Sequence, residues 1–139
     1  MEHSLEATGK ENIIKTISSY LCKNVEETIF AYLFGSFVTE GPFSDIDLGV
    51  FTIPELNRSL SYELNLEGKL ERVVKYLVDV RVLNGAPLSF CFNVIRYGKL
   101  IVDRNRNLRT DFESRILRQY FDFAPFRRRY LAGVTDAPL

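Results

Sequence analysis

Two short apolar runs, joined by a polar glycine-containing segment, constrain this chain more than any other feature. The run Ile29 to Phe34 breaks off at Gly35-Ser36, a spacer from Phe37 to Ser44 follows, and Asp45-Ile46-Asp47 then opens a second apolar run reaching Phe51. Each run reads as a strand. In an extended strand, residues two apart share a face, so Asp45 and Asp47 project together while Ile46, Leu48 and Val50 point into a core. Carboxylates paired on one face repel each other and lose solvation, which adds nothing to stability. A divalent cation resolves that conflict. Hard oxygen ligands suit magnesium, which binds through one or two carboxylates together with substrate phosphates. Taken alone, Gly35-Ser36 reads as a plain turn joining two strands. Beside Asp-x-Asp it suits a phosphate, with Gly35 allowing close approach to the backbone and the N–H groups of a short helix from Ser36 and the Ser36 hydroxyl as donors.

The remaining pattern supplies a scaffold. Ile13, Ile14, Ile17 and Leu21 recur at helical spacing and predict a helix over 12–23, after a loose tail over 1–9. Strands are predicted over 28–34, 45–51, 77–83 and 99–103, with helices over 58–74 and 87–97. Pro54 ends the second strand, and Gly68 weakens the helix that follows. From 107 to 130 the pattern is helical again, interrupted near Asp122 by Pro125. Helices and strands in this alternation describe an α+β domain, a small mixed sheet flanked by helices, with all 139 residues in a single unit.

Composition narrows the function classes. Lys plus Arg and Asp plus Glu both number 18, so there is no global basic footprint for nucleic acid, and direct nucleic-acid binding is not expected. No apolar run approaches the length of a membrane span, and the N-terminus does not read as a signal peptide. Cys22 and Cys91 lie far apart without metal-ligand spacing and read as buried thiols of a cytoplasmic protein. His3 is the sole histidine, which disfavours histidine catalysis and zinc.

Gly-Ser, spacer and Asp-x-Asp in an apolar strand together resemble the nucleotidyltransferase signature of the DNA polymerase β superfamily. In the segment Tyr76 to Asn84, Asp79 sits where that superfamily places a third carboxylate, on a neighbouring strand. Asn84-Gly85-Ala86-Pro87 and the segment from Gln119 to Phe126, ending in Tyr130, resemble one branch, the minimal nucleotidyltransferases that act as MntA-type antitoxins beside HEPN-domain toxins. The resemblance implies a polymerase β-like fold and transfer of AMP from ATP to a tyrosine hydroxyl of a HEPN ribonuclease. It implies a two-metal magnesium site held by Asp45, Asp47 and Asp79, with Asp79 as ligand, base or both, and Gly35 and Ser36 on the triphosphate. The spacer from Phe37 to Phe43 has no cation where relatives place arginine, which implies weaker nucleotide binding or turnover.

Two alternatives stand beside this reading: an antitoxin acting by binding alone, and an adenylyltransferase of aminoglycoside-type small molecules. Arg81 shares the face of Asp79 and pairs with a carboxylate or meets a phosphate. Arg72, Lys75 and Arg96 are conceivable phosphate contacts but read rather as solvated surface cations. Phe90, Phe92, Tyr97 and Phe112 read as core. Arg115 to Tyr130 concentrates arginine and aromatic residues, the composition of an interface with the toxin or with a second copy in a homodimer.

Overall fold

A computed structural model describes residues 2–53 and 60–123. Its elements are α1 (Ala7–Asn24), β1 (Thr28–Phe34), β2 (Ile46–Thr52), α2 (Leu60–Val74), β3 (Val78–Val82), α3 (Leu88–Tyr97), β4 (Lys99–Asp103) and α4 (Arg106–Asp122), with a single 3-10 turn at Gly35–Val38. The strands form one sheet in the order β3-β2-β1-β4. β1 runs antiparallel to both β2 and β4, whereas β2 and β3 are parallel. A parallel pair needs a long crossover, and α2 supplies it.

Both faces of the sheet are covered. On one, Ala31, Leu33, Leu48, Val50 and Val80 pack beneath Ile17 and Leu21 of α1 and Leu66 and Leu70 of α2. On the other, Phe30, Tyr32 and Phe51 pack against Cys91 and Phe92 of α3 and Phe112 and Ile116 of α4. The apolar repeat read in α1 is this buried stripe, and Ile46, Leu48 and Val50 are wholly buried, as their alternation requires. The Asn105 side chain caps α4 by accepting the Leu108 N–H at 3.0 Å. The helix ends at Asp122, as the chain approaches Pro125.

β3 is an edge strand whose outward N–H groups are all satisfied from α2. Val78, Val80 and Val82 donate to carboxylate oxygens of Glu71, Glu67 and Glu63 at 3.0, 2.8 and 2.8 Å. The spacing explains the match: four residues of helix rise about 6 Å, and two residues of strand about 6.6 Å. One helix face thus steps along one strand edge in register.

Four expectations need correction. The expected tail is partly ordered: His3 exchanges backbone hydrogen bonds with Phe43 at 2.7 and 2.9 Å, and its ring packs edge-on against Tyr76. The first helix begins at Ala7 rather than 12, because Lys10 finds partners across the chain (below). Cys22 lies on the solvent side of α1, and only Cys91 is buried, which pushes its thiol up to about 11. Tyr97 is 65% exposed at the end of α3, and Phe90 is only partly covered. Pro54, the start of the second predicted helix at 58, and the segment from Ala124 to Tyr130 lie outside the described residues.

Candidate active site

The strand register assembles the site. Phe34, the last residue of β1, pairs with Asp47, and Asp47 pairs with Asp79 of β3. One line across three strands therefore carries the residue before Gly35, then Asp47, then Asp79. Asp45 falls one residue outside β2, in an exposed bend, so the two carboxylates of Asp-x-Asp do not both belong to the strand as expected. It remains close enough to Asp47 to act on its charge.

Gly35 has a positive φ of 75°, a conformation that a side chain disfavours. A β-carbon there would overlap Oδ2 of Asp47. Glycine is thus required for backbone conformation and for space. The turn that follows is fixed from beneath by Phe37, 1% exposed, whose ring meets Phe43 edge-on at 4.9 Å. Lys10 of α1 donates to the carbonyls of Thr39 and Gly41 at 2.9 and 3.0 Å. A cation therefore does reach the spacer, but from a distant helix, and carbonyls engage it. Gly35 and Ser36 themselves are exposed, and among the described residues the Ser36 hydroxyl has no hydrogen-bond partner.

Burial, then the charge of Asp79, then that of Asp45, raise Asp47 from the ordinary carboxylate range to about 6, with Arg81 opposing. Arg81 lies 3.5 Å from Asp79, so the carboxylate-pairing alternative holds, with both side chains well exposed. Glu67 is also raised, mainly by burial, with Asp79 contributing and the Val80 N–H opposing. Among the described residues, no three His, Cys, Asp or Glu side chains enclose a point that could hold an ion unaided. The donor set is instead an open cluster of carboxylates lacking full compensation. That is a fit for magnesium, which completes its shell with water and phosphate oxygens.

A cavity of about 840 Å³ opens beside Asp79 along the edge of β3. It is lined by Glu63, Leu64 and Glu67 of α2, by Asp79 and Arg81 of β3, and by Pro87 and Phe90 at the start of α3. Sequence reasoning missed the lining from α2. The signal was there in Glu63, Glu67 and Glu71, three like charges at i, i+4 spacing that repel on a helix unless something engages them.

The other candidates fall away from this centre. Arg72, Lys75 and Arg96 are exposed surface cations, as read. Tyr120 stacks on Phe92 at 3.5 Å and Phe121 meets the same ring edge-on, so part of the aromatic C-terminal segment belongs to the α3–α4 contact. Among the described residues no helix is long and apolar enough to cross a membrane.

The family model of polymerase beta nucleotidyltransferases matches residues 15–107, a span holding Gly35, Ser36, Asp45, Asp47 and Asp79. The fold is similar to a chain in the solved complex of tri-AMPylated Shewanella oneidensis HEPN toxin with MNT antitoxin, at 22% identity and a TM-score of 0.68, covering 91% of this chain and 98% of that one. It is similar also to a chain of a toxin–antitoxin pair solved with AMP-PNP, at 23% identity and a TM-score of 0.69, covering 88% and 98%. A third likeness is to the MntA–HepT toxin–antitoxin pair, at 22% identity and a TM-score of 0.63, covering 94% and 99%. No curated protein sequence matches the chain closely enough to count as a relative. At such identities the solved structures speak for the fold. The family match spans well over half of the chain and contains the whole carboxylate line, and by it the chain belongs to the polymerase beta nucleotidyltransferase family.

Proposed function

We propose that this nucleotidyltransferase is an antitoxin that transfers AMP from ATP to a tyrosine hydroxyl of a cognate HEPN-domain toxin. The observation that carries the reading is Asp47 abutting Gly35 on one side and Asp79 on the other, its charge opposed only by Arg81. The solved structures of similar fold support the choice of acceptor: one holds an AMPylated HEPN toxin, another an ATP analogue.

In this reading Gly35 and Ser36 receive the triphosphate, with backbone and hydroxyl donors placed on its oxygens. Asp45, Asp47 and Asp79 hold magnesium, which supplies charge neutralisation on the phosphate oxygens when bound. Asp79, at the outer end of the line, takes the proton of the attacking tyrosine. The exposed position of Asp45 suits a ligand reached from solvent alongside the nucleotide.

Incubation with labelled ATP, magnesium and the product of the adjacent gene should label that product on tyrosine. Asp45→Asn with Asp47→Asn should abolish labelling while the fold persists. Toxin neutralised equally well by the double variant would favour an antitoxin that acts by binding alone. A labelled aminoglycoside and an unlabelled protein would favour the small-molecule reading.

A further inference from the structure

In-line displacement at phosphorus places the attacking and leaving oxygens on opposite sides. With pyrophosphate leaving toward Gly35 and Ser36, the hydroxyl must enter from the side of Asp79. That side opens into the 840 Å³ groove along β3. We infer that this groove is the acceptor site, and that it selects a cationic peptide segment of the partner protein carrying an apolar or aromatic residue beside its reactive hydroxyl. The inference rests on the transfer reading above and names what that reading leaves open.

Charge and surface define the occupant. Among the described residues lining the groove, Glu63, Glu67 and Asp79 face Arg81 as the single cation. Arg81 lies 3.5 Å from Asp79, Glu63 and Glu67 each accept a backbone N–H of β3, and Glu67 also hydrogen-bonds Asp79, so three carboxyl groups share one cation and these donors. The groove is therefore net negative and favours arginine or lysine on the incoming segment. Its lining from α2 also exposes Leu60 by 69% and Leu64 by 56%, and Phe90 lines the same groove. Apolar surface of this kind beside a reactive centre suits an apolar or aromatic side chain. A polycationic sugar would satisfy the charge but not the leucines. The end of a nucleic acid would meet like charge.

The step balances within this geometry. The acceptor hydroxyl oxygen bonds to the α-phosphorus as the bond from that phosphorus to the oxygen bridging to the β-phosphate breaks. Pyrophosphate leaves with that electron pair on the Gly35 side, and the hydroxyl proton passes to the Asp79 carboxylate and then to water.

The test measures AMP transfer from ATP to the adjacent gene's product and to two synthetic peptides, one with tyrosine flanked by arginine and leucine, one with tyrosine flanked by glutamate. The cationic peptide should have the higher kcat/KM by about tenfold or more. Leu64→Arg, or Leu60→Arg if the first does not fold, should erase that preference and lower transfer to the protein, with ATP affinity by calorimetry unchanged. Methyl resonances of Leu60 and Leu64 should shift on adding the cationic peptide with a non-hydrolysable ATP analogue. Equal rates for both peptides, unmoved leucine methyls, or unaltered transfer by both leucine variants to a labelled protein would overturn the groove while leaving the transfer reading intact. Labelling of no protein or peptide at all would overturn both.

Discussion

Gly35 and Asp47 are one unit at the scale of residues, since the side chain absent from the first is the space occupied by the second. Gly35→Ala meets both a strained backbone and a collision with the carboxylate, and should cost about 1–3 kcal/mol of stability together with ATP binding. Gly41→Ala is the control: its φ is also positive, at 97°, yet nothing lies within 4 Å of the added carbon. It should lose stability but keep ATP affinity, as thermal melts and calorimetry on both variants would show. Equal loss of ATP affinity in the two would separate Gly35 from the site. Asp47 makes a second prediction. Its raised pKa means that the metal-free fold holds this proton more tightly than the unfolded chain, where aspartate titrates near 3.9. Stability should therefore fall as pH rises from about 4 toward the folded value of about 6, and level off above it. Partial exposure and solvent screening limit the effect to about 1 kcal/mol. Asp47→Asn should remove this decline, measured as the difference between denaturation midpoints of the two proteins across that pH range without metal. An unchanged difference across the range would show that the carboxylate is not strained.

Among the elements, α2 has the most to lose and to gain. Leu66, Leu70 and Val74 face the core, the three glutamates face the edge of β3, and Gly68 lies between with open space where a β-carbon would sit. Gly68→Ala should therefore stabilise the protein by up to about 1 kcal/mol, through helix propensity alone. A denaturant midpoint that falls instead would mean the glycine serves a contact. The elements were legible because their periods were clean: the stripe of α1, the alternation of β2 and the proline after α4 each obey a local rule. The errors lay where a distant partner decided. α1 starts early because Lys10 reaches carbonyls of a turn 29 and 31 residues away. His3 is placed by Phe43 and Tyr76, which no window around the N-terminus contains. Asp45 slipped off the strand because a two-residue spacing cannot reveal where pairing begins.

The whole molecule brings together at one point segments that sequence spacing alone leaves far apart. Gly35, Asp47 and Asp79 could be named because a motif and a resemblance marked them, but their shared line across the sheet is a property of register. The groove proposed for the acceptor was invisible for the same reason, since its lining comes from two helices and an edge strand. The glutamates along that edge also bear on the company this protein can keep. An edge with free donors invites another chain to add a strand, and from there to aggregate. Here Val78, Val80 and Val82 have already given their hydrogens to α2. Replacing Glu63, Glu67 and Glu71 together by Ala should make concentrated solutions gain thioflavin-binding aggregate at a temperature where the native protein stays clear. A variant that stays equally clear would show the edge to be protected otherwise. With the donors of this border already taken, a visitor there cannot pair as a full added strand, and its side chains must carry the larger share of recognition.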